Sequence, residues 1–446
     1  TIGTSESFTY AAGYYWDDGW EPLSFAGGTK QNGWYVGNVS AVVPKTGEET
    51  TVLVYTCENT ASGWKCGCRD SACTSSHWIQ QRIQTEQETL KQPKQSSNKI
   101  TTSNHWLMAY YPSWDRIRLE RKDIPWEYMT HIAYGIGAPR ADGTLNLEFD
   151  MNGDDGVDLA KRVTRDARRN DVKSILMIGG APGNWASATN PDHVKKYARN
   201  LIEAMKDMNF DGIDIDWEPL RDTDLPQVEA LAKELKRLEP NMLLTIAVPY
   251  TTSNLGSISN WYGDNQHLFD QINVMTYDMS GVWSGWSSWH HSALYGHTTL
   301  TPTSIENSVE KYLAAGVPRQ KLGIGAPFYG RCWEGVGGPM QTFDQNVVSH
   351  GAMSYRLVRR EYYDSDHYEW DRDARSSYLS FKKPTGPDGC TFITYPEERD
   401  MKERGEYIVD EGLGGVIVWS LGQAYMDEYS RSKRHPLLKA LWEEFD

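Results

Sequence analysis

Short apolar runs recur along this chain from about residue 105 onward, separated by polar segments with a different period. The runs are "WLMAYY" near Tyr110, "HIAYGIG" near Tyr134, "SILMIGG" ending at Gly180, and "GIDIDWE" ending at Glu218. They continue with "LLTIAVPY" ending at Tyr250, "QINVMTYD" ending at Asp278, "LGIGAPFYG" near Tyr329, and "GGVIVWSLG" near Trp419. Between them, segments such as "PDHVKKYARNLIEAMKDM" carry apolar residues at the 3.6-residue spacing of a helix with one buried stripe. Eight apolar strands alternating with helices predict an α/β chain closed into a parallel (β/α)8 TIM barrel over residues 105–446. The stretch from about 332 to 413 is too long for one crossover, so it predicts an α+β insertion between the seventh and eighth strands, ending in "TFITY".

Upstream the pattern differs. Residues 1–83 show short β-like runs such as "TTVLVYTC", Gly-rich turns, no internal repeat and many aromatics: Tyr14, Tyr15, Trp16, Trp20, Trp34, Tyr35, Tyr55, Trp64 and Trp78. This reads as a small all-β domain. Residues 84–104, "QTEQETLKQPKQSSNKITTSN", are polar, contain a proline and have neither period, as a linker does.

Composition sharpens the picture. The chain holds 18 Trp and 25 Tyr, enough to fill a large core and leave aromatics for binding surfaces. A formal net charge of -15 argues against a nucleic-acid partner, which requires a basic stripe to displace counterions. No run approaches the roughly 18 apolar residues of a membrane span, and the chain starts at Thr1 without a Met, as a trimmed secreted protein or an otherwise trimmed chain would. A soluble, secreted monomer is the expectation. Cys57, Cys66, Cys68 and Cys73 cluster without paired C-x2-C knuckles, which favours disulfides over a zinc site and leaves their connectivity open. Cys332 and Cys390 bracket most of the insertion and are expected to pair, two separate buried thiols being the alternative. Closing that loop is worth about 4 kcal/mol on the chain-entropy model.

The fourth run carries the chemistry. "DGIDIDWE" sets four carboxylates within residues 211–218. Strand alternation puts Asp214, Asp216 and Glu218 on one face and Ile213, Ile215 and Trp217 on the other. The apolar face belongs against the helices, so the acids point into the barrel with Glu218 at the C-terminal rim, where barrel enzymes place their chemistry. Neighbours roughly 7 Å apart on one strand face couple electrostatically, and at least one pKa must rise. A protonated acid beside an ionised partner is what cleavage of an acetal needs. A calcium site would place its ligands on a curved loop instead, so no metal or other cofactor is expected.

These residues resemble the catalytic strand of the family 18 glycoside hydrolases, D-G-x-D-x-D-x-E, with every position matched. "MTYD" (Met275, Tyr277, Asp278), "PFYGR" (Tyr329, Arg331) and "GGVIVWSLGQ" (Trp419) are similar to that family's sixth, seventh and eighth strands. The resemblance covers residues 105–446 and suggests a bacterial-type chitinase with an N-terminal accessory, chitin-binding-like domain. It implies Glu218 as general acid and then base, Asp216 orienting the substrate acetamido group, Asp214 tuning Asp216, and Tyr277 donating to the acetamido carbonyl. It further implies Asp278 and Arg331 near the reacting sugar, Trp419 beneath it, and Tyr110, Met275 and Trp283 as further cleft positions. By the residues alone, Tyr134, Met177 and Met275 read as barrel filling.

One motif departs from the family. The third strand usually reads S-x-G-G followed by an aromatic, whereas here Met177 replaces the Ser and Ala181 follows Gly180, with Trp185 as a substitute aromatic on that rim. The implied activity is hydrolysis of β-1,4-linked N-acetylglucosamine polymers with retention, by substrate-assisted catalysis. The partners would be chitin and its oligosaccharides. The alternatives are an endo-β-N-acetylglucosaminidase acting on glycoprotein glycans and a non-catalytic chitin lectin, which usually lacks the final acid.

Overall fold

The computed structural model describes residues 105–446 apart from 181–182, 253–255, 344–346 and 446, together with backbone strands between Ile2 and Gly67. The chain divides into two units, Thr1–Ile100 and Thr101–Asp446. In the first, Tyr55–Thr60 pairs antiparallel with Phe8–Ala11 and with Gly63–Gly67. The side chains of that unit, including its aromatics and four clustered cysteines, lie outside the described residues.

The second unit is built on eight parallel strands: β1 Trp106–Pro112, β2 His131–Pro139, β3 Lys173–Gly179, β4 Gly212–Asp216, β5 Leu243–Pro249, β6 Gln271–Met275, β7 Leu322–Pro327 and β8 Gly415–Trp419. Each pairs with the next, and β1 also pairs with β8, so the sheet closes on itself and has no free edge. Among the helices outside are α1 Asp155–Arg169, α2 Val194–Asp207, α3 Leu225–Leu238 and α4 Ile305–Ala314. Their buried residues, such as Leu201, Leu231 and Val309, join one cluster with Ile213, Ile215, Ile246 and Val274 from the outward faces of the strands. Burying each such side chain contributes about 1.5–3 kcal/mol, and this layer ties the helices to the barrel.

The inward faces form a second cluster of Trp106, Met108, Tyr110, Ala133, Ile175, Met177 and Ile417, with Met275 and Trp419 against it. Tyr134 is not part of it, contrary to the expectation that it fills the barrel. In β2 the inward position is Ala133, so Tyr134 points outward, packs near Tyr111 and Phe149, and donates its hydroxyl to the Gly156 carbonyl at 3.3 Å.

The insertion begins directly after β7. Its five-stranded antiparallel sheet comprises Tyr329–Glu334, Val348–Ser354, Tyr368–Asp371, Ser376–Thr385 and Cys390–Thr394, so it starts three residues ahead of the expected boundary. The helix Glu398–Asp410 that follows buries Met401 and Ile408 in the helix-side cluster, which makes it part of the barrel's outer ring. Cys332 and Cys390 are disulfide-bonded across 58 residues, joining the sheet's first and last strands in chain order. At the foot of the insertion, fully buried Arg404 donates to the Ser292 carbonyl at 2.6 Å, and Asp400 accepts from the Ser377 backbone N–H at 2.9 Å. No described helix is long and apolar enough to cross a membrane.

Candidate active site

The four acids of residues 211–218 have separate surroundings. Asp211 precedes β4 and caps the neighbouring strand, accepting from the Ser174 backbone N–H at 2.9 Å and from its hydroxyl at 3.2 Å. Asp214 points inward and is sealed from solvent. Register sets Met177 on one side of it and Thr245 on the other. Tyr110 donates to Asp214 Oδ2 at 2.7 Å, and the Thr245 hydroxyl donates to Oδ1. Burial pushes the Asp214 carboxyl up, and these two donors pull it back by stabilising the anion.

Met177 cannot donate, so the polar support of Asp214 comes from β1 and β5 rather than β3. This gives a sign-defined expectation. Thr245→Val removes a donor to the anion, so Asp214 protonates at a higher pH, and the acid limb of kcat/KM moves up by about one pH unit. Thr245→Ser should leave the limb in place. An unmoved limb in the Val variant would remove Asp214 from the proton balance.

Asp216 ends β4, and Glu218 stands just beyond it, half-buried at the C-terminal rim. Asp216 is raised well above the usual carboxylate range by burial first, then by the negative charges of Glu218 and Asp214, and by a hydrogen bond shared with Glu218. Its Oδ1 is buried without a hydrogen-bond partner. The approach of β3 to this point depends on glycine: a Cβ at Gly179 would lie 1.9 Å from the Asp216 carbonyl oxygen, and the Gly180 N–H donates to that oxygen at 3.0 Å.

Around the acids stands a polar and aromatic wall. Tyr277 and Asp278 lie just past β6, where Asp278 adopts a left-handed φ of 56° that turns the chain. Burial and the charges of Asp216 and Glu218 hold the Tyr277 hydroxyl well above its ordinary range, so it stays protonated and able to donate. Arg331 grips Asp278 Oδ1 through Nε at 2.9 Å and Nη2 at 2.8 Å. Tyr329 stands edge-on to Tyr277 at 6.1 Å, and burial followed by the charge of Asp278 pushes its hydroxyl up. Trp419 and Tyr110 lie 5.6 Å apart, with Met275 against the same inner cluster. Trp283 is exposed beyond Asp278 and packs edge-on against Trp286 at 4.7 Å.

Trp185 is not a rim aromatic. It is 1% exposed and stacks on the outward-facing Trp217 at 5.0 Å, so it belongs to the helix-side core and offers no face to a ligand. Two rim residues escaped sequence reasoning. Half-exposed Trp114 follows β1 and meets Trp419 edge-on at 6.4 Å; its only signal was its place in "YYPSWD" after the first strand. Half-buried Tyr250 ends the fifth run, and burial followed by the charge of Asp278 pushes its hydroxyl up to about 12. Nothing in the local sequence ties it to Asp278.

The rim therefore carries two neighbouring carboxyl groups, one of them pushed up by burial and by the charge of the other, a phenol held as a donor and several open aromatic faces. That set can protonate a leaving oxygen, orient an amide beside it and stack on a sugar ring.

The family model described as glycosyl hydrolases family 18 matches residues 106–424. Endochitinase 1 of Metarhizium robertsii is 27% identical over 360 residues, covering 70% of this chain and 80% of the relative. Chitinase 1 of Aphanocladium album is 25% identical over 355 residues, with 70% and 80% covered. The crystal structure of the Ostrinia furnacalis Group IV chitinase in complex with allosamidin superposes with a TM-score of 0.60 at 23% identity, over 76% of this chain and 97% of that one, and shares the barrel fold.

Proposed function

Since this chain belongs to glycosyl hydrolases family 18, we propose that it is a chitinase that cleaves β-1,4-linked N-acetylglucosamine polymers with retention, by substrate-assisted catalysis. The observation that carries this reading is the Asp216–Glu218 pair, one acid buried and pushed up, the other at the rim and hydrogen-bonded to it. Glu218 donates its proton to the glycosidic oxygen and later takes one from water. Asp216 and Tyr277 bracket the acetamido group, Asp216 accepting from its N–H and Tyr277 donating to its carbonyl. Asp214, held by Tyr110 and Thr245, supplies the negative charge that keeps the proton on the Asp216–Glu218 pair. Trp419 forms the floor beneath the reacting sugar, with Tyr110 and Met275 behind it. Asp278 and Arg331 bind its hydroxyls, and Trp283 takes a sugar further along the cleft.

The presence of Glu218 disfavours a non-catalytic lectin. The insertion and the open aromatic faces suit a linear chain better than a branched glycan. The Cys332–Cys390 bond fits an oxidising compartment, and with it secretion. The aromatic N-terminal domain, of the accessory kind found in bacterial-type enzymes, serves to hold insoluble chitin.

Product analysis on N-acetylglucosamine oligomers, with a branched glycopeptide alongside, tests the assignment. The oligomers should be cut and the glycopeptide left intact; cleavage of the glycopeptide alone would make this an endo-β-N-acetylglucosaminidase. Running the same assay on crystalline chitin with a chain lacking residues 1–104 should show weaker binding and slower degradation. Equal performance would remove the binding role from the N-terminal domain.

A further inference from the structure

Asp115 is a buried carboxylate that the acid–base chemistry does not use, and it sits where the barrel closes. It belongs to the short 3-10 helix Ser113–Ile117 that follows β1. Its Oδ2 accepts two hydrogen bonds from the loop after β8, from the Ser420 hydroxyl at 2.7 Å and the Gly422 backbone N–H at 2.8 Å. A Cβ at Gly422 would lie 2.6 Å from the Asp115 carboxyl carbon, so only glycine lets the two loops meet this closely. The other oxygen makes no hydrogen bond and faces the Arg118 guanidinium at 3.6 Å.

Burying a carboxylate with one oxygen lacking a hydrogen bond is unfavourable, which draws attention to what it holds in place. Each side of this clip adjoins a tryptophan: Trp114 precedes Asp115, and Trp419 precedes Ser420. The two rings are half-exposed and meet edge to face, their centroids 6.4 Å apart and their planes at 66°. The β1–β8 ladder ends at the pair Ala109 and Val418, so sheet pairing between these strands stops short of both tryptophans. The carboxylate joins the two loops beyond that point.

We propose that Asp115 is a positioning residue that locks Trp114 and Trp419 into one sugar-stacking corner across the closing seam of the barrel, and thereby sets affinity for N-acetylglucosamine oligomers. The inference rests on the substrate class proposed above. Asp115→Ala removes the acceptor for both loops, so the rings lose their fixed angle while the acids around Asp216 keep theirs. Asp115→Asn keeps one oxygen in the same place to accept both bonds.

Steady-state kinetics on the N-acetylglucosamine hexamer provide the test. For Asp115→Ala the KM should rise about tenfold, the combined effect of losing both loop contacts, with kcat within about twofold of the parent. Asp115→Asn should restore KM to within about threefold. A merely structural role would instead lower kcat through a smaller active fraction and leave KM alone. Should Asp115→Ala fold poorly, Ser420→Ala removes only one donor and should raise KM about threefold; an unchanged KM there overturns the proposal, as it does in folded Asp115→Ala. A parent enzyme that neither binds nor cleaves the hexamer would sink the substrate assignment instead, which separates the two failures.

Discussion

Glu218→Gln is expected to reduce turnover of N-acetylglucosamine oligomers by at least about 10²-fold while leaving their affinity near that of the parent. The substitution preserves shape and removes only the proton that the leaving oxygen needs. Stacking on Trp419 and Trp283 and the Asp278–Arg331 contacts are untouched, so ground-state binding survives. The loss should appear in kcat and kcat/KM alike, the signature of an interaction made only in the transition state. Single-turnover rates together with calorimetric binding of the hexamer measure both halves. A variant that keeps more than about a tenth of parental turnover would assign the acid role to another residue, and one that no longer binds would make Glu218 a binding group.

The parts of this molecule legible in the sequence are those governed by short-range periods. Alternation in "GIDIDWE" set the inward and outward faces of β4, and the structure buries Ile213, Ile215 and Trp217 against the helices as that parity requires. The same reasoning failed for Tyr134 because a run apolar at nearly every position, as parallel strands are, carries no alternation to reveal which face points inward. Trp185 illustrates a second limit. An aromatic near the end of a barrel strand reads equally well as platform or core, and only the stacking of Trp185 on Trp217 decides for the core. Trp114, Tyr250 and the Asp115 clip were invisible for a third reason. Their roles depend on loops brought together by ring closure, as when Asp115 meets Ser420 across 305 positions of sequence. Thr245 lies between these cases: its strand was foreseen, but its donation to Asp214 depends on register across two strands.

The second large effect concerns the nucleophile. A retaining glycosidase of the usual kind sets two carboxyl groups about 5–5.5 Å apart on opposite sides of the bond, one as acid and one as nucleophile. Here Asp214 is committed to Tyr110 and Thr245 deep in the barrel, and Asp216 is pushed up and shares a hydrogen bond with the acid itself. Neither is arranged as a free carboxylate facing an anomeric carbon. On the proposed function the substrate supplies the attacking atom, its own 2-acetamido oxygen, as Glu218 protonates the leaving oxygen and Asp216 and Tyr277 hold the amide in line. A substrate deacetylated at the reacting sugar lacks that oxygen and should turn over at least about 10²-fold more slowly, although it fits the same cleft. Because the acetamido group occupies the face opposite the leaving group, water enters from the side the leaving group vacated, and the first product is the β-anomer. NMR of the freshly released reducing end, followed by sequencing of the products of a partly deacetylated polymer, tests both consequences. An initial α-anomer, or efficient cleavage after a deacetylated sugar, would replace neighbouring-group attack and give Asp216 the role of nucleophile or base.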